Sequence, residues 1–291
     1  MNDINEFDKI YKNIYATITA EEGIKQEKKA YILGGQPGCG KSTFFKTHPE
    51  LIGFISVNGD EYRQFHPEYE KIVKEDIMSM PAKTQSFANA VVEKLIHDLS
   101  NNGYNLYIEG TLWSAEVPMK TCNELNSKGY ETNLVVVGAS AIESWKSTIN
   151  RAKQMADVGT PPRTVPIDHF NNIIHNICNN LDEIQSTNCF DSISVIGRDG
   201  KILFPASGKE KASEALHQVL KEHEWTEKYP DLKKQYDSLT TKMQAINNPS
   251  KGAFSDKIKS NIERSHKIVQ ERKDISKGAV QKGFKRKNNA R

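Results

Sequence analysis

One stretch near the N-terminus constrains this chain more than any other. Residues 35–42 are Gly-Gln-Pro-Gly-Cys-Gly-Lys-Ser and match the pattern G-x-x-x-x-G-K-[ST] at every required position. The apolar run Ala30–Leu33 precedes them, and Thr43–Lys46 begins a predicted helix. A glycine-rich loop between a strand and a helix lets several backbone N–H groups converge on one phosphate. The sequence therefore predicts a nucleotide-binding site.

Within this loop two side chains have predicted chemical roles. Lys41 can reach the β- and γ-phosphates of ATP, and the Ser42 hydroxyl can ligate Mg²⁺. Cys39 is interpreted as a small filler, because the backbone does the binding there. The predicted nucleotide-binding residues are Gly35, Gln36, Pro37, Gly38, Cys39, Gly40, Lys41, Ser42 and Thr43.

Composition narrows the class of protein. The four cysteines form no C-x-x-C pair, which is typical of reduced thiols and argues against a disulfide framework or a zinc site. The acidic N-terminus lacks the apolar core of a signal peptide, and no apolar run approaches the ~20 residues of a membrane span. We therefore expect a cytoplasmic protein.

Charge is divided unevenly along the 291 residues. Residues 249–291 hold 13 Lys and Arg against 4 Asp and Glu, a net charge of +9. Because the net charge of the whole chain is +3, residues 1–248 carry a net charge of −6. The basic tail is predicted to be weakly ordered, and contact with nucleic acid or with membrane headgroups stays open. The predicted organisation is an N-terminal helix (1–29), a P-loop kinase domain (30–206), C-terminal helices (207–248) and this tail (249–291).

Alternating strand and helix patterns predict an α/β fold: a P-loop NTPase or kinase-like, doubly wound parallel sheet with an edge β-hairpin and C-terminal helices. The hairpin is indicated by an Asp-Gly turn at residues 199–200. The predicted strands are Ile52–Val57, Asn105–Thr111, Thr132–Val137, Asp191–Ile196 and Lys201–Phe204. The predicted helices are Ile4–Gly23, Ile72–Met80, Thr84–Asn102, Pro118–Lys128, Ala141–Met155, Ile167–Ile184, Lys209–His223 and Leu232–Ile246.

Two carboxylates follow predicted strands. In parallel α/β sheets ligands bind beyond the carboxyl ends of the strands, so Asp60 and Glu109 are aimed at the same crevice as the phosphate loop. Asp60 is interpreted as a catalytic base, with a helix N-cap as the alternative. Glu109 could approach Mg²⁺ or its water, or equally bind a substrate hydroxyl.

Two arginines flank an irregular segment rich in proline. Arg151 lies near the end of a predicted helix and Arg163 follows Pro161-Pro162. A loop carrying arginine can place positive charge on a phosphoryl group in transfer, while ordinary surface arginines explain the pattern equally well.

Beyond the phosphate loop, several short motifs occur in a specific order. Together they resemble the zeta toxin family of bacterial toxin–antitoxin systems, from about Tyr31 to Phe204. The motifs are Gly34–Gly38, Gln64–Pro67, Gly103–Leu106, Ile108–Thr111, Val117-Pro118 and Lys128–Thr132.

The resemblance implies a kinase that phosphorylates a sugar hydroxyl of UDP-N-acetylglucosamine and that a small helical antitoxin protein restrains. It implies that Lys41 and Ser42 hold ATP·Mg²⁺ and that Asp60 is the base. It also implies that Arg151 and Arg163 grip the reacting phosphates. The residues that fall where the family binds the nucleotide sugar are Glu93, Glu109, Thr111 and Thr121.

The chain departs from the family pattern at two positions. Asn58 stands where many members carry an acid, and Trp113 stands where a basic residue is typical. Trp113 could stack on a uracil or sugar face instead. A kinase acting on another nucleotide sugar or on polynucleotide ends, and a non-enzymatic nucleotide-dependent switch, remain alternative functions. The first helix is expected to pack on the body, with partner binding as the alternative.

Overall fold

The computed structural model of this chain describes residues 2–20, 27–41, 44, 48, 51–157, 162–205 and 210–246. The predictions for Ser42 and Thr43 lie outside these residues, as do most of the helix expected after the phosphate loop and the basic tail. No helix among the described residues is long and apolar enough to cross a membrane.

A six-stranded sheet forms the centre of the molecule, in the order β2-β3-β1-β4-β5-β6. The first five strands pair in parallel, and β6 pairs antiparallel with β5. This confirms the predicted α/β class and the edge hairpin. The strands are β1 Lys29–Gly34, β2 Ile55–Val57, β3 Leu106–Glu109, β4 Glu131–Gly138, β5 Ser192–Gly197 and β6 Ile202–Phe204.

Both faces of the central strands are buried, which explains their continuous apolar sequences. Successive side chains of a strand point to opposite faces, so neighbouring residues enter different cores. Ile32 and Leu134 join the larger core, while Leu33 and Val135 join a smaller core on the other side. A sheet covered on both faces leaves only its strand ends open to a ligand.

Most of the predicted helices are present among the described residues, but the short helices Gly59–Tyr62 and Met80–Lys83 were not predicted, and the last helix begins at Glu222 rather than at Leu232. The predicted helix Ile72–Met80 is wrong: the helix that begins at Tyr69 ends at Glu75. Asp76 is extended (φ −156°, ψ 94°) and accepts a hydrogen bond from the Met78 backbone N–H at 3.1 Å. The helices are α1 Asn2–Thr19, α2 Gly59–Tyr62, α3 Tyr69–Glu75, α4 Met80–Lys83, α5 Gln85–Asn101, α6 Glu116–Ser127, α7 Ala141–Asp157, α8 Ile167–Thr187, α9 Ala212–Leu220 and α10 Glu222–Ile246.

The first helix packs against the body. Tyr11 and Ile14 of α1 are buried in the larger core. The Tyr11 hydroxyl donates to the Asp98 carboxylate of α5 at 2.7 Å. Burial and this carboxylate raise the pKa of Tyr11 above its usual value. The apolar face of α1 is therefore used within the chain.

Candidate active site

The phosphate loop depends on glycine at positions where a side chain has no room. Gly38 has φ +80°, and a Cβ there would overlap the Ser144 carbonyl oxygen of α7. Gly35 has φ +135°, and its Cβ would lie 2.6 Å from the Val137 carbonyl oxygen of β4. L-residues other than glycine rarely adopt such backbone angles. The loop is therefore pressed against β4 and α7, with its backbone facing the crevice.

A buried glutamine anchors the loop to the same neighbours. The Gln36 side chain is fully buried, and its Nε2 donates to the Ala139 carbonyl oxygen at 2.6 Å and to the Ser144 hydroxyl at 3.1 Å. Ala139 comes directly after β4, and Ser144 lies in α7, the next helix. The anchor fixes the loop against the end of β4, which keeps its N–H groups in a set geometry.

Lys41 lies over the loop. Its Nζ donates to the carbonyl oxygens of Gly35 at 2.6 Å and of Gln36 at 3.1 Å. The ammonium group therefore occupies the mouth of the loop, where a lysine of this motif meets phosphate oxygens.

Asp60 lies at the carboxyl end of β2, in the first turn of α2. It is not the N-cap: Asn58 caps α2, and its Oδ1 accepts from the Asp60 backbone N–H at 3.0 Å. The Asn58 departure from the family pattern thus has a local role. Because Asn58 performs the capping, the Asp60 carboxylate is available for contacts in the crevice.

Two arginines hold the two oxygens of Asp60. Arg63 Nε donates to Oδ1 at 2.9 Å, and Arg163 Nη1 lies 3.2 Å from Oδ2. The side chain of Asp60 is still 42% exposed. Burial opposes its ionisation, but Arg163, Arg63 and the more distant Arg151 together hold the pKa of Asp60 below its usual value. The carboxylate is therefore ionised and open to the crevice.

Arg63 is a residue that the sequence patterns did not indicate. It is nearly buried, and besides Asp60 it donates to the Pro81 carbonyl oxygen at 2.6 Å and to the Gln85 side chain at 2.6 Å. It also donates to the Thr84 hydroxyl at 3.1 Å. Its planar guanidinium therefore ties Asp60 to the junction of α4 and α5. A single arginine between Tyr62 and Gln64 carries no pattern that would have revealed this.

Glu109 ends β3, the strand between β1 and β2. Burial is the main cause that raises the pKa of Glu109, and Glu61 and Asp60 raise it further, while Lys41 and Arg151 oppose the rise. One carboxylate therefore interacts electrostatically with both the phosphate-loop lysine and Asp60. The three groups therefore lie near one another at the carboxyl edge of the sheet.

Both predicted arginines influence Asp60, and Arg163 is in direct contact with it. Arg151 is half-buried on α7, and its pKa is lowered by burial and by Arg163 but raised by Asp60 and Glu109. Among the described residues, neither the buried Nε of Arg151 nor that of Arg163 has a hydrogen-bond partner. Buried donors of this kind are normally satisfied, so the pair fits an anionic ligand with several acceptor oxygens.

The remaining predicted substrate residues are Thr111, Thr121 and Glu93. Thr111 follows β3 and is half-buried. Thr121 on α6 donates its hydroxyl to the Val117 carbonyl oxygen at 3.1 Å. Glu93 on α5 is exposed and lies 3.6 Å from Lys120 Nζ. Thr121 and Glu93 thus have local partners, and among the described residues neither forms a hydrogen bond or an ion pair with Asp60.

Arg198 also approaches the phosphate loop. It occupies the turn after β5, and a Cβ on Gly40 would lie 3.2 Å from its Cγ. The Gly-Arg-Asp-Gly sequence at 197–200 was interpreted only as a hairpin turn. The strand-end rule could have found it, since β5 is parallel to β1 and its carboxyl end reaches the same edge.

The described residues contain no group of three or more His, Cys, Asp or Glu side chains that could hold a metal ion. A P-loop site needs no such group, because Mg²⁺ is bound by one or two protein ligands together with substrate phosphates. The half-buried Glu109 beside Lys41 offers one carboxylate of this kind.

Proteins named as toxins are similar to this chain in sequence, and a chain from a toxin–antitoxin system is similar to it in structure. The family model described as Zeta toxin matches residues 14–223. Toxin zeta of Streptococcus pyogenes is 32% identical over 214 residues, 70% of this chain and 73% of that protein. Toxin PezT of Streptococcus pneumoniae serotype 4 is 30% identical over 210 residues, 70% of this chain and 83% of that protein. A solved structure from the PezAT chromosomal toxin–antitoxin system of Streptococcus pneumoniae has a TM-score of 0.65 at 28% identity, covering 74% of this chain and 86% of the matched chain.

Proposed function

Since this chain belongs to the Zeta toxin family, we propose that it is an ATP-dependent kinase. It transfers the γ-phosphoryl group of ATP to a sugar hydroxyl of a nucleotide sugar, with UDP-N-acetylglucosamine as the acceptor. The family itself was inferred correctly from the order of short motifs. The acceptor is the finer part of the proposal and rests on the properties that the resemblance implies.

One observation carries the proposal: an ionised carboxylate faces the crevice that holds the phosphate loop. Asp60 has Arg163 on one oxygen and Arg63 on the other, and Glu109 interacts with both Asp60 and Lys41. A pure nucleotide binder has no need of a carboxylate beside the γ-phosphate position, because like charges repel. A kinase needs one there to receive the proton of the attacking hydroxyl.

The proposed chemistry follows from the charges. The acceptor hydroxyl oxygen forms a bond to the γ-phosphorus while the bond from that phosphorus to the ADP oxygen breaks. Asp60 receives the hydroxyl proton. Lys41, Arg151 and Arg163 balance the negative charge that spreads over the transferring group. Mg²⁺, when bound, supplies further positive charge at the phosphates, with Ser42 and Glu109 as its candidate ligands.

The biological role is proposed from the relatives. Two of them are named toxins, and the similar solved structure belongs to a toxin–antitoxin system. We infer that this chain also acts as a toxin and that a small helical antitoxin protein restrains it. Toxicity on expression in bacteria should then depend on the kinase reaction.

Mass spectrometry of a nucleotide-sugar mixture incubated with the protein, ATP and Mg²⁺ tests the proposal. We expect one component, UDP-N-acetylglucosamine, to gain the mass of one phosphate. The variant Asp60→Ala should lose about 10²–10⁴-fold in transfer rate while still binding ATP, because it lacks only the base. Transfer to a different sugar would change the acceptor, whereas no transfer to any acceptor would refute the kinase assignment.

A further inference from the structure

Trp113 is unusual among the tryptophans of this chain. Trp145 and Trp225 are 3% and 0% exposed and belong to the larger core, whereas Trp113 is 58% exposed. Tryptophan is rarely left so open, because burying its large apolar surface is favourable. An exposed indole beside a crevice is a candidate contact for a flat ligand.

The backbone holds Trp113 in a fixed place. Its neighbour Leu112 is buried with φ +55°, a left-handed conformation that is uncommon for a leucine. The Leu112 side chain fills the space where Gly34 has no side chain, and its carbonyl oxygen accepts from Asn180 Nδ2 at 2.9 Å. The indole is therefore presented by a constrained turn.

A second aromatic ring lies beside the indole. The imidazole of His169, in the first turn of α8, has its centroid 6.2 Å from that of Trp113 at an interplanar angle of 48°. Burial lowers the pKa of His169, which favours the neutral ring. His169 lies six residues after Arg163, which contacts Asp60. The two rings form an uncharged surface near the crevice, and we call them the aromatic wall.

The position of the wall in the sheet indicates which substrate it meets. Trp113 follows β3, and β3 lies between β1 with its phosphate loop and β2 with Asp60. Arg198 approaches the loop from the opposite side, after β5. The wall is thus on the side of the proposed acceptor. An uncharged wall does not attract phosphate, but base–aromatic stacking is favourable for any nucleobase.

We propose that Trp113 and His169 stack against the nucleobase of the acceptor nucleotide sugar, so that the base positions the sugar hydroxyl near Asp60. This inference rests on the proposed function. It assigns base recognition to a position where this chain departs from the basic residue typical of its family. Acceptors that lack a nucleobase, such as N-acetylglucosamine 1-phosphate, should bind poorly.

Intrinsic fluorescence tests the wall directly, because Trp113 is the one exposed tryptophan of the three. We expect UMP added to the full chain to quench the emission with saturation, and the quenching to be absent in Trp113→Phe. By calorimetry, Trp113→Ala should weaken UMP binding about tenfold, as expected for loss of stacking, while Trp113→Phe stays within about threefold. Ile202→Ala, which trims a side chain of 62% exposure on β6, is the matched control and should bind UMP normally.

The outcomes separate this inference from the kinase assignment. Saturable UMP quenching with weakened binding in Trp113→Ala supports the wall even if no phosphoryl transfer is found. Normal UMP binding by Trp113→Ala overturns it even if transfer to a nucleotide sugar is observed. Quenching by AMP but not by UMP also overturns it, because the wall would then belong to the donor. Equal rates with UDP-N-acetylglucosamine and N-acetylglucosamine 1-phosphate would be a further contradiction.

Discussion

On the proposed donor side of the crevice, residues 35–40 surround the phosphate position with backbone, and glycines let that backbone touch β4 and α7. On the proposed acceptor side, Asp60, Glu109 and Trp113 project side chains from the ends of two different strands and a constrained turn. The donor side is thus one continuous segment, whereas the acceptor side is an assembly. A loop that binds through its backbone tolerates little change at its glycines. A site assembled from side chains can exchange them and so change which ligand it binds.

The largest effect is expected at the two arginines that contact Asp60. We expect Arg163 to act mainly on the transfer rate and Arg63 also on the stability of the fold. Arg163 is 31% exposed and its ion pair is with Asp60, so Arg163→Met should lower the transfer rate about 10³-fold with little change in stability. Arg63→Met should lower the rate about 10–100-fold and also the free energy of unfolding by about 1–3 kcal/mol, because it leaves buried acceptors unpaired. Rate measurements and urea unfolding of both variants check this.

Equal loss of stability in the two variants would contradict the distinction between them. Arg63→Lys is the matched control, since it keeps the charge but cannot make the forked contacts. It should recover less than half of the lost stability if the planar geometry of Arg63 is what matters.

Gly38→Ala should weaken ATP binding without affecting binding on the proposed acceptor side. A Cβ at this position overlaps the Ser144 carbonyl oxygen, and φ +80° is strained for alanine. We expect ATP affinity, measured by calorimetry, to fall about hundredfold while UMP binding persists. Gly53→Ala is the control: its φ is +95°, but a Cβ there meets nothing within 4 Å, so ATP affinity should not change. Loss of UMP binding in Gly38→Ala would show that the two sides are not independent.

The pH dependence of kcat/KM tests the charge on Asp60. A base is active in its deprotonated form, which persists above its pKa and is lost as pH falls through it. Because the pKa of Asp60 is held low, the fall of kcat/KM on the acid side of the pH profile (the acid limb) should occur below the ordinary aspartate pKa of about 3.9. In Arg163→Gln that limb should move to higher pH, since the strongest cationic influence is gone. Glu109→Gln identifies any limb due to Glu109, whose pKa is raised. An unmoved acid limb in Arg163→Gln would refute the proposed coupling.

The smallest effect is expected at Glu93. Glu93 and Lys120 are 70% and 68% exposed and form an ion pair at 3.6 Å, which contributes less than about 1 kcal/mol to stability. Glu93→Gln should raise the acceptor KM a few-fold and leave the ATP KM and the melting temperature unchanged. Lys120→Met breaks the same pair but keeps the carboxylate, so its acceptor KM should match wild type. Parallel rises in both variants would indicate that the ion pair, not the carboxylate, matters.

Features that depend on residues close together in the sequence were predicted best. The phosphate loop, the parallel sheet and the hairpin after β5 follow from local patterns and are present in the structure. The helix predicted across Asp76 was wrong because that residue's side chain bonds to the Met78 backbone N–H, a local competitor of helical bonding. The position of Glu93 in the site stays a prediction from the resemblance alone.

Arg63 and the aromatic wall were beyond local patterns for a different reason. Arg63 is recognised only when α4 and α5 fold around it, and the ring of His169 reaches Trp113 only through the packing of α8. Contacts between residues 18 to 56 positions apart leave no periodic trace in the sequence. For this reason the residues proposed to recognise the acceptor were less accessible to sequence analysis than the phosphate loop.

Gly34 ends the strand that leads into the phosphate loop, and the Leu112 side chain lies where its own would be. A larger residue at 34 would push first on the turn that carries the exposed indole. Residue 34 is therefore a constraint that both sides of the proposed site share: a lineage that enlarges this residue must reshape the turn at Leu112 in the same step.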